Sequence, residues 1–184
     1  MSLQLGRMSR LLHRFGTCLM VALICISCSN GDDSDIGKEP AVLSIDGVSA
    51  LGQHTLTVYK TPSCSCCQAW VDHVKHAGFG TDVVNQDTVA HIKDHFGVPA
   101  AARSCHTAIS DSNYVFEGHV PAKYIAEFLS APIAGAKGLI VPAMPLGSPG
   151  MEVDDKFQPY TVYALKENGG LVVFAEVSSY QQQF

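Results

Sequence analysis

The sequence predicts an α/β fold: a mixed sheet with flanking helices, followed by a Gly/Pro-rich loop and a β-hairpin. Three observations carry this reading. Segments with strand alternation and segments with helical period succeed one another in the order β-α-β-α-β-β-α between residues 54 and 131. The first strand and the first helix are joined by Thr61-Pro62-Ser63-Cys64-Ser65-Cys66-Cys67, a sharp loop with three cysteines in four positions. Gly135–Gly150 is rich in glycine and proline, and two strand-like runs follow it. The first seven elements, with a cysteine loop between the first two, have the thioredoxin-like order.

His54–Lys60 alternates and is β-branched, which marks a strand. Cys67–Ala77 has helical period, with Trp70, Val71 and Val74 on one core-facing side, and Gly78 ends it. Thr81–Asn85 is a short strand. Thr88 caps a helix to Phe96 with Val89, Ile92 and Phe96 turned inward, and Gly97-Val98-Pro99 stops it. Cys105–Ser110 and Tyr114–Val120 are strands joined by the turn Asp111-Ser112-Asn113. Pro121 opens a helix to about Ala131. Gly135–Gly150 reads as a long loop without secondary structure, which in a compact domain signals function. Tyr160–Lys166 and Leu171–Val177 pair as a hairpin across Glu167-Asn168-Gly169-Gly170. Gln181–Phe184 reads as a frayed tail.

Residues 1–27 read as a signal peptide. Arg7, Arg10 and Arg14 form a basic start, and Phe15–Ile26 is a short apolar run. Cys28, preceded by the small residue Ser27, is a candidate for lipidation. Cys25 stands where a lipobox usually has Leu or Val, and simple secretion would begin the mature chain at the same place. Residues 28–50 are polar and carry Asp32, Asp33 and Asp35, as an acidic disordered tether does. The expected location is therefore periplasmic, with membrane attachment only through an N-terminal lipid. The formal net charge is −5, and loss of the three leader arginines makes it −8. An acidic mature domain argues against nucleic acid as a partner and is compatible with collecting cations.

Of the seven cysteines, Cys18 and Cys25 leave with the leader and Cys28 is the acylation candidate. Cys64, Cys66, Cys67 and Cys105 remain. Three of them crowd one loop, which is a pattern for a site and not for stapling a fold. The N-terminus of a helix stabilises thiolate through its dipole and free N–H groups. Cys64 and Cys67 have the C-x-x-C spacing of dithiol exchangers and are the candidate catalytic pair. A plain exchanger does not need Cys66, whereas three clustered soft thiolates suit Cu(I). Buried small residues or a structural zinc knuckle are the blander alternatives.

Topology brings distant residues to this loop. The third strand runs antiparallel to the first and begins at the cysteine edge, and the fourth runs back and ends there. Cys105 and His119 thus join Cys64, Cys66 and Cys67 as candidate metal ligands. Strand alternation turns His106 away from the side chain of Cys105. Met144 and Met151, the only methionines beyond the leader, lie in the Gly/Pro-rich segment, and thioether sulfur suits Cu(I). His73 and His76 fall on the exposed side of the first helix. His91 and His95 are four apart on the second, as surface histidines without a third ligand. His54 has no assignable role.

Together, the cysteine loop with Trp70, Ser104-Cys105-His106-Thr107-Ala108, Glu117-Gly118-His119-Val120-Pro121-Ala122 and the Val141–Glu152 segment resemble one family over residues 54 to 177. It is the periplasmic C-x-C-C family of Gram-negative bacteria, CopG-like in copper resistance. The resemblance implies a thioredoxin-like copper-binding domain, residues 51–132, and a C-terminal extension, residues 133–184, that contributes to the metal site. It implies copper bridged by cysteine sulfurs and a role in interconverting Cu(I) and Cu(II). Carried over by motif, the copper residues are Cys64, Cys66, Cys67 and Cys105, with His119, Met144 and Met151. Ser65 and Ala143 stand where the family usually has glycine. Ser104-Cys105-His106 fills the place where thioredoxins have a cis-proline.

The expected function is periplasmic copper binding in copper resistance, with copper ions as partner and an efflux system or a periplasmic electron donor beyond them. A thiol-disulfide oxidoreductase and a passive copper carrier are the competing readings. An Fe–S protein would use the four cysteines but leave the methionines unexplained.

Overall fold

A computed structural model describes residues 53–184. The expected signal peptide, Cys28 and the expected tether lie outside the described residues, and with them the expectations on export and lipidation. The elements are β1 (Thr55–Lys60), α1 (Ser65–His76), β2 (Gly80–Asn85), α2 (Ala90–His95), β3 (Thr107–Ser110), β4 (Val115–Glu117), α3 (Ala122–Ser130), β5 (Ala136–Ile140), β6 (Tyr160–Lys166) and β7 (Leu171–Val177). Short 3-10 turns cover Ala100–Ala102 and Tyr180–Gln183. The fold is α/β, with one mixed sheet of seven strands ordered β2-β1-β3-β4-β5-β6-β7.

The two sheet faces follow from strand alternation. Leu56, Val58, Ala108, Phe116, Leu139 and Ala164 pack with Trp70, Val71 and Val74 of α1 and with Ile125 and Phe128 of α3. Phe128 meets Tyr114, Phe116 and Phe174 edge-on, a favoured aromatic geometry. Val115, Ile140 and Leu165 form a smaller second core with Val98 and Ala102.

Register fixes where the site is built. β1 is parallel to β2 and antiparallel to β3, with Tyr59 opposite Thr107. Thr107 stands opposite Glu117 of β4, and Glu117 opposite Ile140 of the parallel β5. The end of β1, the start of β3 and the ends of β4 and β5 therefore share one edge, where the cysteine loop also emerges.

Several expectations need correction. The segment 135–150 is not all loop, because Ala136–Ile140 is a strand inside the sheet. Gly138 is what lets β5 approach β4: a Cβ there would lie 1.7 Å from the Val115 carbonyl oxygen. β3 begins at Thr107 and β4 ends at Glu117, so Cys105, His106 and His119 lie in the connections beyond the strands. α2 is shorter than expected. The Thr88 hydroxyl accepts the Ala90 N–H, and Lys93 is buried while Ile92 and Phe96 are half-buried. The tail is not frayed, since Gln183 is buried and its Nε2 donates to the Gly147 carbonyl. The hairpin of β6 and β7 forms as expected, and His91 and His95 are exposed. Among the described residues, no helix is long and apolar enough to cross a membrane.

Candidate metal centre

The cysteine loop is set by local hydrogen bonds. The Cys64 N–H donates to the Thr61 carbonyl, which closes the turn after β1. Cys64 is the N-cap of α1, and its sulfur accepts the Cys67 N–H at 3.3 Å. Sulfur thus occupies the place an Asp or Ser oxygen usually takes at a helix start, where positive potential favours thiolate.

Cys64 and Cys67 are joined by a disulfide, and Cys66 and Cys105 are free thiols. Cys66 Sγ lies 3.5 Å from Cys64 Sγ. The four sulfurs of Cys64, Cys66, Cys67 and Cys105 all lie within 4.8 Å of one another, close enough to share a metal ion. Cys67 is buried and the other three are half-buried. Burial, reinforced by neighbouring Cys66, pushes the Cys105 thiol up to about 11. At neutral pH it holds its proton, so a metal bound there must displace it.

A second group shares Cys105. Its sulfur lies 3.3 Å from His106 Nδ1 and 3.1 Å from His119 Nε2, and one ligand atom from each residue falls within a 4.8 Å cluster. The expectation that His106 turns away is thus corrected. Alternation does not govern residues 105 and 106, because the strand has not yet begun. His106 is fully buried, its ring 4.5 Å from that of Trp70. Burial, then the charges of His119, Lys93 and Lys60, hold it well below the usual imidazole range. His119 is lowered too, chiefly by burial. Both rings are neutral at pH 7 and keep a lone pair for a metal. For His119 the hydrogen bond selects the tautomer. Nδ1 donates to the Pro149 carbonyl at 2.8 Å, which leaves Nε2 unprotonated and facing Cys105.

The C-terminal extension reaches the site mainly through its backbone. Pro149 fixes His119, and Gly150 lies against the Cys66 carbonyl and the Trp70 amide. Met151 shares a shallow hollow with Ser65, Cys66 and Ala69. Met144 is 48% exposed and lines a separate hollow with Pro145, Gln158 and Tyr160. Trp70 is core, and its Nε1 donates to the Val120 carbonyl at 2.8 Å, anchoring the turn that carries His119. His73 is half-buried, not exposed. Its Nε2 accepts the Ala122 N–H at the start of α3, and burial, with His76 beside it, lowers it to about 4. Sequence reasoning missed this role, and it missed His106 at the site. The only signal for His106 was its place beside Cys105.

A family model described as a protein of unknown function, DUF411, matches residues 102–151, from before Cys105 to Met151. No curated protein matches the chain. Two solved structures do. One, a copper resistance protein CopG in its form 1, is 36% identical with a TM-score of 0.62, over 67% of this chain and 96% of that one. The other, the same protein's form 2, is 35% identical with a TM-score of 0.63, over 67% of this chain and 98% of that one.

Proposed function

This chain belongs to the family of the copper resistance protein CopG, and we propose that it is a periplasmic copper-binding protein that interconverts Cu(I) and Cu(II). The observation that carries the reading is the pair of ligand groups sharing Cys105. With the Cys64–Cys67 bond reduced, four sulfurs suit the soft ion Cu(I), whereas a sulfur with two neutral imidazoles also accommodates Cu(II). Copper, as substrate, would meet both preferences without leaving the site.

The disulfide supplies the electron account. Two Cu(II) ions take one electron each from the Cys64 and Cys67 thiols. The S–S bond forms, two protons leave, and two Cu(I) ions result. In the reverse direction two Cu(I) ions give one electron each to the disulfide, two protons are taken up, and the dithiol and two Cu(II) ions result. A periplasmic electron donor would restore the dithiol, and an efflux system would accept the released copper. Ser27-Cys28 supports attachment to a membrane by lipid, Cys25 in place of the usual Leu or Val speaks for simple secretion, and mass spectrometry of the mature N-terminus decides between them.

The Cys64–Cys67 disulfide also favours a second reading, thiol-disulfide exchange on protein substrates. Cys66→Ser separates the two. It leaves the C-x-x-C pair intact and removes one sulfur of the four. The copper reading expects a loss of Cu(I) affinity of tenfold or more in competition with a chelator. Wild-type affinity in Cys66→Ser would give exchange the lead.

A further inference from the structure

Glu117 and Lys93 hydrogen-bond to each other and to residues flanking Cys105 and His106, and both are almost completely buried. The carboxylate is fully engaged. Its Oε1 accepts from Lys93 Nζ at 2.6 Å and from the Ser104 backbone N–H at 2.6 Å. Its Oε2 accepts from the Thr107 hydroxyl at 2.7 Å, and Lys93 Nζ also reaches that hydroxyl at 2.9 Å. The two ends of the segment 104–107 are thus tied to one side chain, and Cys105 and His106 lie between the ties.

From this we infer that Glu117, oriented by Lys93, is the positioning residue of the metal centre. It holds the Ser104–Thr107 segment so that Cys105 and His106 face the other ligands. The inference rests on the copper reading given above.

Two physical points support it. Removing two charges from water is unfavourable, and apolar residues of similar size often serve stability as well or better. A buried pair at this place is therefore weak as a device for stability and reasonable as one for position. The segment it holds lies outside β3, where the Gly118 N–H still donates to the His106 carbonyl at 3.1 Å but no strand pairing reaches Cys105.

The test uses two double variants of the mature protein. Lys93→Met with Glu117→Leu removes both charges and the acceptor. Lys93→Met with Glu117→Gln removes both charges but keeps an acceptor for the Ser104 N–H. Cu(I) affinity by chelator competition and the absorption spectrum of the copper-loaded protein are the readouts, with thermal unfolding as the check on folding. The leucine variant should lose tenfold to hundredfold in affinity, the usual range for residues that orient ligands, with a changed spectrum. The glutamine variant should stay within about threefold of wild type. Equal losses in the two variants, or wild-type affinity in the leucine variant, would overturn the clamp. If a variant fails to fold, hydrogen exchange on the wild type decides. The Ser104 amide should be protected in the metal-free protein, and exchange at the rate of an open loop refutes the clamp. Failure of the wild type itself to bind copper would count against the copper reading, and the protection of Ser104 would still judge the clamp.

Discussion

Gly150→Ala tests how the extension serves the site. Gly150 has φ +86, in the left-handed region, which costs a residue with a Cβ about 1–2 kcal/mol. A Cβ there would also lie 2.6 Å from the Cys66 carbonyl oxygen and 2.7 Å from the Trp70 amide nitrogen. Both are backbone atoms of α1, which packs on the core through Trp70 and Val71 and cannot yield cheaply. The loop must move instead, by roughly half an ångström or more. Its neighbours are Pro149, whose carbonyl orients His119, and Met151. The combined strain is about 2–3 kcal/mol, which lowers the melting temperature by about 6–12 °C in a domain of this size. Displacing the carbonyl that fixes the His119 tautomer should cost tenfold or more in copper affinity. Gly169→Ala is the control, because Gly169 has a similar φ of +81 and a Cβ added there would meet nothing within 4 Å. It should show only the conformational cost and bind copper normally. The assays are thermal unfolding of the metal-free protein and chelator competition for Cu(I). If Gly150→Ala melts and binds copper as Gly169→Ala does, the extension does not act on the site through this contact.

Two other outcomes follow from single residues. His73 is neutral when folded and sits near pKa 4 against 6.5 for a free imidazole, so its contribution is complete above pH 6.5 and is lost as pH falls towards 4. The difference is about 2–3 kcal/mol across that window. His73→Gln keeps an acceptor for the Ala122 N–H and should flatten the dependence by that amount in urea unfolding at several pH values; an unchanged slope would refute the assignment. Met151→Leu, beside Cys66, should shift the copper reduction potential and absorption spectrum with little change in stability, whereas Met144→Leu should shift neither. A shift in both variants would mean that the Met144 hollow closes over the metal, and no shift in either would remove the methionines from the site.

Much of the fold was legible because its signals are local. Leu56 and Val58 alternate, Trp70, Val71 and Val74 share a helix face, and Pro121 and Gly78 punctuate. What escaped depended on contacts between distant segments. β5 carries a glycine where a neighbouring backbone approaches too closely for any side chain, and a glycine in a short apolar run reads as a break. Lys93 looks like a solvent residue on a short helix. Its burial is possible because Glu117 and the Thr107 hydroxyl accept from its ammonium group. Gln183 is the same case in the tail, held by the Gly147 carbonyl and the Tyr160 hydroxyl.

The site divides along the same line. Cys64, Cys66 and Cys67 were legible from spacing, and Cys105 and His119 from the antiparallel order that brings strand ends to one edge. His106 was not, because the rule applied to it belongs to strands, and the strand starts one residue later. The later start, at Thr107 and not Cys105, has a functional consequence. Were β3 to include residue 105, pleating would send Cys105 and His106 to opposite faces, and one of them would leave the centre. Adjacent residues can both face one metal only where the chain is free of the ladder. A segment outside the strand, tied across to the end of β4 by the single bond from the Gly118 N–H to the His106 carbonyl, needs a further constraint to hold two ligands in register. The hydrogen bonds of Glu117 to Ser104 and Thr107, on either side of that pair, supply such a constraint.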